Sequence, residues 1–231
     1  MLVVTGGTKG IGRAIIEIFA KEGFDVVTCA RKEKELIALK SEVEARYKVT
    51  VHTMAVDMSH KEGVMKFADF TKSLQKPVKV LVNNTGIFIP GQIHSEEEGM
   101  LEKMMETNVY SAYYLSRALI GNMMELRDGH IFNICSTASI TAYTNGGSYC
   151  ITKFAMYGMT KVLRAEMREH NVRVTAILPG ATLTASWDGV ELPPERFMKA
   201  EDVGATIWAA YSLSKQAVVE EIVLRPMLGD I

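Results

Sequence analysis

Short apolar runs alternate with longer amphipathic segments along nearly the whole 231-residue chain, and this alternation limits the possible folds more than any other feature. Runs of this length are typical of strands, whereas the longer segments carry apolar residues at helical spacing. The predicted strands are Leu2–Thr5, Asp25–Ala30, Thr50–Val56, Val78–Asn83, His130–Ser136, Val172–Leu178 and Glu221–Leu224. The predicted helices are Ile11–Glu22, Glu33–Tyr47, Lys61–Ser73, Leu101–Leu126, Tyr149–His170 and Ala200–Leu213. The pattern predicts an α/β fold with a doubly wound parallel sheet of about seven strands and helices on both faces.

The chain is long enough for one well-filled core, because 48% of its 231 residues are hydrophobic. Neither a repeat nor a long linker divides it, so we expect a single domain over residues 1–231. The formal net charge of −1 and the interspersed charges provide no basic face, so no nucleic-acid partner is expected. No apolar run reaches the ~20 residues that span a bilayer, so no membrane partner is expected either. The acidic run Glu96–Glu98 after Ser95 is interpreted as a helix cap and first turn.

The cysteines and histidines show no pattern of metal ligands. The three cysteines, Cys29, Cys135 and Cys150, are odd in number and lack ligand spacing, and the five histidines are scattered. We therefore predict neither a metal nor a disulfide framework, and we interpret the cysteines as small apolar residues. A cytoplasmic location is expected, because reduced cysteines suit the cytoplasm and the first strand, beginning at Leu2, leaves no room for a signal peptide.

A glycine-rich segment from Thr5 to Gly12 joins the first predicted strand to the first predicted helix. At this position in a parallel sheet, main-chain N–H groups and the helix N-terminus can bind a pyrophosphate. Gly10 would let the main chain approach the phosphates, and Gly12 would let helix and strand pack closely. An ordinary tight turn is the alternative. The predicted cofactor-binding residues of this segment are Gly6, Thr8, Lys9, Gly10, Ile11 and Gly12.

The end of the second predicted strand distinguishes NAD from NADP. An acidic residue there would bind the ribose hydroxyls of NAD and repel a phosphate, but this chain reads Thr28-Cys29-Ala30-Arg31-Lys32. Arg31 and Lys9 can instead supply charge-assisted hydrogen bonds to a 2′-phosphate, so NADP (NADPH) is the expected cofactor. The alternative is that Arg31 and Lys32 only solvate the start of a helix.

Tyr149 and Lys153 lie one helical turn apart, and Ser136 ends the apolar strand upstream of them. A lysine ammonium beside a phenol favours the phenolate, so Tyr149 is a candidate proton donor or acceptor. In a parallel sheet the carboxyl end of a strand and the start of the next helix border the same crevice, where Ser136 and Tyr149 can converge. Together the three residues predict a carbonyl-reducing enzyme.

The same Tyr-x-x-x-Lys spacing recurs at Tyr157/Lys161 and at Tyr211/Lys215, so the spacing alone does not choose the catalytic tyrosine. Only Tyr149 follows a serine at the end of an apolar strand. Tyr157 would lie roughly 12 Å further along the helix, at about 1.5 Å rise per residue, which carries it away from the crevice. We interpret Tyr157 and Tyr211 as packing or surface residues.

These motifs resemble the short-chain dehydrogenase/reductase family, in its single-domain branch, over essentially the whole chain. The motifs that carry the resemblance are Thr5-Gly6-x-x-x-Gly10-x-Gly12, Asp57, Asn83-Asn84-Thr85-Gly86, Asn108, Ser136, Tyr149-x-x-x-Lys153 and Pro179-Gly180 followed by Thr184. The resemblance implies a Rossmann fold and an NADP-dependent oxidoreductase that acts on a C=O or CH–OH group.

The resemblance also implies roles for individual residues. Ser136 would hydrogen-bond the substrate carbonyl, Tyr149 would protonate the developing alkoxide, and Lys153 would bind the nicotinamide ribose. Asn108 would steady the active-site helix and a water-mediated proton relay to Lys153. The further implied cofactor contacts are Asp57 and Met58 at the adenine, Asn83, Asn84, Thr85 and Gly86 along the cofactor, and Pro179, Gly180, Thr182 and Thr184 at the nicotinamide.

The substrate is less constrained than the reaction. The segment between Pro179 and Ala200 is short for the family's substrate lid, and the tail Val218–Ile231 lacks the glycine-rich finish common in 3-oxoacyl-carrier-protein reductases. Both features look more like bacterial sepiapterin-reductase-like members. We expect reduction of a small ketone or diketone, with a pterin side chain as one candidate. The alternatives are a 3-oxoacyl-thioester reductase and a non-catalytic NADP-binding sensor.

A short lid over residues 181–200 is expected to cover the substrate, with Trp187 either contacting the substrate or serving as a buried anchor. The resemblance further implies a homodimer or homotetramer built on the two long predicted helices. The methionines compatible both with such an interface and with core packing are Met123, Met156 and Met159.

Overall fold

The computed structural model describes residues 1–184, 187, 189 and 191–231, and its centre is a sheet of seven parallel strands. The strands are β1 (Leu2–Thr5), β2 (Val26–Ala30), β3 (Val51–Ala55), β4 (Val80–Asn83), β5 (Gly129–Ile134), β6 (Val172–Pro179) and β7 (Glu221–Leu224). Their order across the sheet is β3-β2-β1-β4-β5-β6-β7. The strand order reverses between β1 and β4, which makes this place the topological switch point of the sheet. Ligands of such sheets bind beyond the carboxyl ends of the strands at the switch point.

Helices cover both faces of the sheet. They are α1 (Gly10–Lys21), α2 (Glu33–Tyr47), α3 (Lys61–Ser73), α4 (Met100–Met105), α5 (Ser111–Leu126), α6 (Gly147–Met167) and α7 (Ala200–Tyr211). Side chains alternate between the faces along β1: Leu2 and Val4 pack with residues of α1, α2 and α7, whereas Val3 packs with residues of α3 and α5. The predicted doubly wound, Rossmann-like sheet is therefore confirmed, and all seven predicted strands form near their predicted bounds.

The predicted helix Leu101–Leu126 is interrupted. A π-helical turn, Glu106–Tyr110, separates α4 from α5 and contains Asn108. The amide of Asn108 holds both main-chain groups of Ile87: its Oδ1 accepts the Ile87 N–H at 2.7 Å, and its Nδ2 donates to the Ile87 oxygen at 3.0 Å. Such π turns occur frequently at functional sites.

The interpretation of Ser95 and Glu96–Glu98 as a helix cap and first turn is wrong. These residues form turns, Gly99 follows with a φ of +85°, and the helix begins only at Met100. The carboxylate of Glu96 is bound instead by Ser148, at the start of a different helix. Acidic side chains can therefore cap a helix that is distant in sequence.

The core contains two of the methionines whose placement the sequence left open, together with the three cysteines. Met123 and Met156 are buried in the core, and Cys29, Cys135 and Cys150 are buried and free. Burial raises the pKa of Cys29 to about 12 and that of Cys135 to about 11, so both stay as thiols at neutral pH. Within the part of the chain that the structure describes, no helix is long and apolar enough to cross a membrane.

Candidate active site

The loop between β1 and α1 has the backbone of a phosphate-binding turn. Gly6 and Gly10 have φ values of +68° and +53°, in the region that favours glycine. A Cβ at position 12 would lie 2.4 Å from the Gly6 oxygen, so only glycine lets α1 start this close to the loop. No described side chain caps the N-terminus of α1 at Lys9, so its first N–H groups are left for an anion.

The loop after β4 is fastened to the phosphate loop. The Thr5 hydroxyl oxygen accepts the N–H groups of Asn84 at 3.0 Å and Thr85 at 2.9 Å. In return, the Asn84 amide donates to the main-chain oxygens of Thr5 at 2.9 Å and Gly6 at 3.2 Å. The two loops therefore form one unit at the switch point, and the side chain of Asn84 contributes by holding that unit together.

Two of the expected cofactor residues have side chains that point into the core. Asn83 is buried, and its amide donates to the Ser116 hydroxyl at 2.9 Å and to the Asn133 side-chain oxygen at 2.8 Å. Met58 is 4% exposed and belongs to the hydrophobic core on the side of the sheet that α3 and α5 cover. At both positions only the main chain can face a cofactor. Neighbouring Asp57 is exposed.

The carboxylate of Asp57 is held by a local turn. It accepts the Ser59 N–H at 2.9 Å and the Ser59 hydroxyl at 2.8 Å. The Ser59 N–H bond is the largest cause that lowers the pKa of Asp57, and the Arg31 charge adds to it. Asp57 is therefore an ionised acceptor at neutral pH.

Basic side chains gather at the expected position of the adenosine ribose. Lys9 and Lys32 both pair with Glu35, at 3.0 Å and 3.3 Å, and the Thr8 hydroxyl donates to the same carboxylate at 3.3 Å. Arg31, the residue before Lys32 in the chain, is also exposed. The predicted pair of Lys9 and Arg31 is therefore joined by Lys32 and by a carboxylate that the sequence reasoning did not include.

Ser136, Tyr149 and Lys153 line one pocket of about 710 Å³. Ser136 lies just beyond β5, and its oxygen accepts the Ala138 N–H at 3.1 Å, which leaves the hydroxyl hydrogen for another acceptor. Lys153 is 6% exposed and donates to the Ile134 oxygen at 3.0 Å, with its Nζ 5.6 Å from the centre of the Tyr149 ring. The three side chains converge from β5 and α6 as the topology predicts.

Asn108 connects the site to the loop after β4 and to α6. Besides its two bonds to Ile87, its Nδ2 donates to the Thr152 hydroxyl at 3.0 Å. Thr152 directly precedes Lys153, so the amide of Asn108 fixes this turn of α6. A Cβ at Gly86 would lie 3.3 Å from Asn108 Oδ1 and 3.8 Å from Lys153 Nζ, so the loop passes close to both residues.

The start of α6 is fixed by Glu96. Its Oε1 accepts the Ser148 N–H at 2.8 Å, and its Oε2 accepts the Ser148 hydroxyl. The segment before Glu96 also binds the loop that precedes α6, because the Gly91 N–H donates to the main-chain oxygen of Asn145 at 3.1 Å. The contact between Glu96 and Ser148 holds the residue immediately before Tyr149. Sequence reasoning missed it because Glu96 lies 52 positions from Ser148.

Further residues of the pocket lie in segments that the sequence did not assign to it. The Phe88 ring packs edge-on against the Tyr149 ring at 4.8 Å, and Tyr143 and Asp230 complete the wall. Burial raises the pKa of Tyr143, so its hydroxyl stays a donor. The pocket also includes most of the expected nicotinamide segment, namely Pro179, Gly180, Thr182 and Thr184.

Trp187 lines the pocket and also packs on the lid segment. Its ring lies 5.1 Å from that of Phe197, and its main-chain N–H donates to the main-chain oxygen of Thr184 at 3.0 Å. The expected lid over residues 181–200 is described only in part, because Ala185, Ser186, Asp188 and Val190 lie outside the described residues.

The other tyrosine–lysine pairs lie away from the pocket. Tyr157 packs against a small apolar cluster, with Lys161 Nζ 4.2 Å from its ring centre. Tyr211 packs against Phe19 and Phe24, at 5.5 Å in each case. These positions support the choice of Tyr149 among the three. Among the described residues there is no group of three or more His, Cys, Asp or Glu that could hold a metal.

Known proteins match this chain in sequence and in structure. The model of the short chain dehydrogenase family matches residues 1–192. A sepiapterin reductase of Chlorobaculum tepidum is 33% identical over 239 residues, which cover 100% of this chain and 98% of that protein.

Solved structures extend the likeness. An alcohol dehydrogenase from the archaeon Thermococcus sibiricus, complexed with 5-hydroxy-NADP, is 25% identical with a TM-score of 0.91, and the match covers 98% of this chain and 97% of that chain. The L-sorbose reductase of Gluconobacter frateurii, complexed with NADPH and L-sorbose, is 26% identical with a TM-score of 0.90, over 97% and 95% of the two chains.

Proposed function

Because this chain belongs to the short-chain dehydrogenase family of oxidoreductases, we propose that it is an NADPH-dependent carbonyl reductase that acts on a small ketone or diketone. The observation that carries the proposal is the convergence of Ser136, Tyr149 and Lys153 on one pocket beside the phosphate loop. A module that only binds the cofactor has no need of this proton-transfer set. The sensor alternative is therefore disfavoured.

The residues present fit a dinucleotide. Gly6 and Gly10 take the positive φ values of a phosphate-binding turn, Gly12 lets α1 start close to that turn, and the first turn of α1 lacks a side-chain cap among the described residues. Lys9 and Lys32, which share Glu35, and the exposed Arg31 supply the positive charge that a 2′-phosphate requires, which supports NADP rather than NAD. Thr184 lies against Gly10, which joins the nicotinamide segment to the phosphate loop.

Three side chains would each have a separate role in the reduction of the carbonyl. NADPH, when bound, supplies the hydride that the carbonyl carbon receives. The Ser136 hydroxyl would donate to the carbonyl oxygen and orient it, since its own oxygen is already held by Ala138. Tyr149 would give its phenolic proton to the same oxygen as negative charge develops there. Lys153, buried at the Ile134 oxygen, would hold the nicotinamide ribose and favour the phenolate that remains.

The wall of the pocket supports a small substrate with a hydrogen-bonding end. Phe88 and Trp187 offer flat apolar surfaces, and Asp230, which is ion-paired with Arg225 through one carboxylate oxygen, offers the other. This mixture suits a planar, nitrogen-rich ring with a side-chain carbonyl, such as sepiapterin, the substrate named for the Chlorobaculum relative. A small diketone requires only the apolar part of the wall.

An oligomer and a cytoplasmic location complete the proposal. The two long helices α5 and α6 carry apolar side chains on their exposed faces, which favours a homodimer or homotetramer built on them. These side chains are Tyr113, Ile151, Phe154 and Val162, with exposed fractions of 40%, 40%, 46% and 59%. We propose that residues 1–231 act as one domain within each protomer.

The test is NADPH oxidation with three substrates: sepiapterin, a small diketone and an acetoacetyl thioester. Turnover of the first two, and little of the third, supports the proposal. Preference for the thioester would replace it with the 3-oxoacyl-thioester reductase. Tight NADPH binding without turnover of any carbonyl in a broad panel would favour the sensor. Sedimentation of the same sample gives the oligomeric state.

A further inference from the structure

Glu35 lies where two basic loops meet. It is in the first turn of α2, and its side chain is 28% exposed, whereas those of Lys9 and Lys32 are 62% and 73% exposed. Its carboxylate lies 3.0 Å from Lys9 Nζ and 3.3 Å from Lys32 Nζ, and it accepts the Thr8 hydroxyl at 3.3 Å. The phosphate loop supplies two of these donors, and the segment after β2 supplies the third.

Two ammonium groups and a hydroxyl are a donor set that suits a phosphate. In this chain the acceptor inside that set is a carboxylate of the protein itself. Hydrogen bonding to Lys9, with a further contribution from Lys32, lowers the pKa of Glu35, so the carboxylate is ionised at neutral pH. Glu35 therefore occupies the place of the anion that the donors would otherwise bind.

We infer that Glu35 is a built-in competitor of the cofactor's 2′-phosphate, and that it thereby sets the affinity for NADP and the selectivity over NAD. The inference rests on the proposed use of NADP by this chain. A phosphate and a carboxylate cannot share the two lysines at contact distance without like-charge repulsion, so Glu35 must turn toward solvent when the phosphate binds. A cofactor with only a ribose hydroxyl there carries no such charge, and carboxylates accept hydrogen bonds from ribose hydroxyls.

Removal of the negative charge of Glu35 is therefore expected to strengthen binding only of a ligand that carries the 2′-phosphate. Surface ion pairs contribute little each, so the gain is expected to be about three- to tenfold in affinity, for two pairs released. The opposite role would be that Glu35 orders Lys9 and Lys32 for the phosphate, in which case removal of its charge would weaken binding.

The experiment is calorimetric titration of the whole protein with 2′,5′-ADP and with 5′-AMP, which differ only in the 2′-phosphate and need no turnover. Glu35→Gln is compared with the wild type and with Glu33→Gln. Glu33 is a matched control, because it lies in the same first turn of α2, is exposed, and has no side-chain hydrogen bond or ion pair within the described ranges. Glu33→Gln changes the net charge and the interaction with the helix dipole by the same amount as Glu35→Gln.

We expect Glu35→Gln to bind 2′,5′-ADP about three- to tenfold more tightly, and both variants to stay within about twofold of wild type for 5′-AMP. Glu33→Gln should leave 2′,5′-ADP within about twofold as well. If the wild type prefers 2′,5′-ADP but Glu35→Gln binds it equally or more weakly, the inference is wrong and the cofactor assignment stands. If neither the wild type nor Glu35→Gln prefers 2′,5′-ADP to 5′-AMP, the NADP assignment and the inference are both wrong.

Discussion

The carboxylate of Glu96 accepts the main-chain N–H of Ser148 at 2.8 Å and also accepts its hydroxyl, one residue before Tyr149. A segment that belongs to the loop after β4 therefore closes the N-terminus of α6, where a negative charge also suits the helix dipole. The position of Tyr149 in the pocket depends on this end of the helix. Glu96 is a positioning residue for Tyr149.

Glu96→Ala should lower both stability and turnover. Loss of a helix cap costs about 0.5–2 kcal/mol of unfolding free energy, and the freed helix end should move Tyr149, so kcat should fall while the NADPH Kd stays constant. Urea unfolding, steady-state kinetics and cofactor titration measure the three quantities. Glu97→Ala is the control, since Glu97 is exposed and has no side-chain hydrogen bond in the described part of the chain. Equal effects of the two changes would contradict the positioning role.

Arg31 is expected to bind the 2′-phosphate directly. Arg31→Ala should weaken NADPH binding by about 1.5–3 kcal/mol, the range for a lost hydrogen bond to a charged group, with little effect on NADH. Lys34→Ala removes an exposed charge nearby on α2 and should change neither. Fluorescence titration with both cofactors provides the measurement. A wild type that binds NADH more tightly than NADPH would overturn the assignment.

Trp187 should act on the substrate rather than on stability. It lines the pocket and is only partly buried, so Trp187→Ala should raise KM while leaving the unfolding temperature and the NADPH affinity unchanged. Phe197→Ala is the contrasting variant, because Phe197 is 8% exposed and should lose stability. Thermal unfolding of the protein without ligands separates the roles. A loss of ~3–5 kcal/mol in Trp187→Ala would identify it as a buried anchor instead.

His130 should make the fold sensitive to acid. It is fully buried in β5, stacked on Phe132 at 3.9 Å, and its Nε2 lies 2.7 Å from the Thr175 hydroxyl. Burial, aided by the Arg173 charge, lowers its pKa to about 2. The unfolded chain, with a histidine pKa of about 6.5, binds the proton first, so the stability present above that pH is lost as the pH falls below it.

The pH dependence of urea unfolding between pH 7.5 and 5 tests the role of His130. In this range His130→Gln should show a shallower loss than the wild type, by up to about 1.4 kcal/mol per pH unit below pH 6.5. His94→Gln, at an exposed position, should follow the wild type. If all three proteins lose stability in parallel, His130 does not cause the acid sensitivity.

The sequence predicted the sheet because buried parallel strands are continuously apolar, as Val80–Val82 are, and strands of this kind read clearly in one sequence. It predicted the meeting of Ser136 and Tyr149 because both follow from the strand and helix ends of a parallel sheet. Topology of this kind needs no knowledge of side-chain contacts.

The polar contacts of the site could not be predicted in the same way. Glu35 meets the Thr8 hydroxyl 27 positions away, and Glu96 meets Ser148 across 52 positions. Both carboxylates lie in charged stretches that have the composition of a solvated surface, so nothing local distinguishes them from their neighbours. Asn108, in the π turn, likewise accepts the N–H of Ile87, which lies in the loop after β4.

Turnover of Tyr149→Phe beside Tyr157→Phe tests the proposed chemistry most directly. Both tyrosines lie on α6 with a lysine four residues later, but only Tyr149 lies in the pocket with Ser136. We predict that Tyr149→Phe lowers kcat by at least ~10²-fold with the NADPH Kd nearly unchanged, because only the proton donor is lost. Tyr157→Phe should retain nearly full activity. Equal losses in the two variants, or full activity in Tyr149→Phe, would contradict the assignment of Tyr149 as the proton donor.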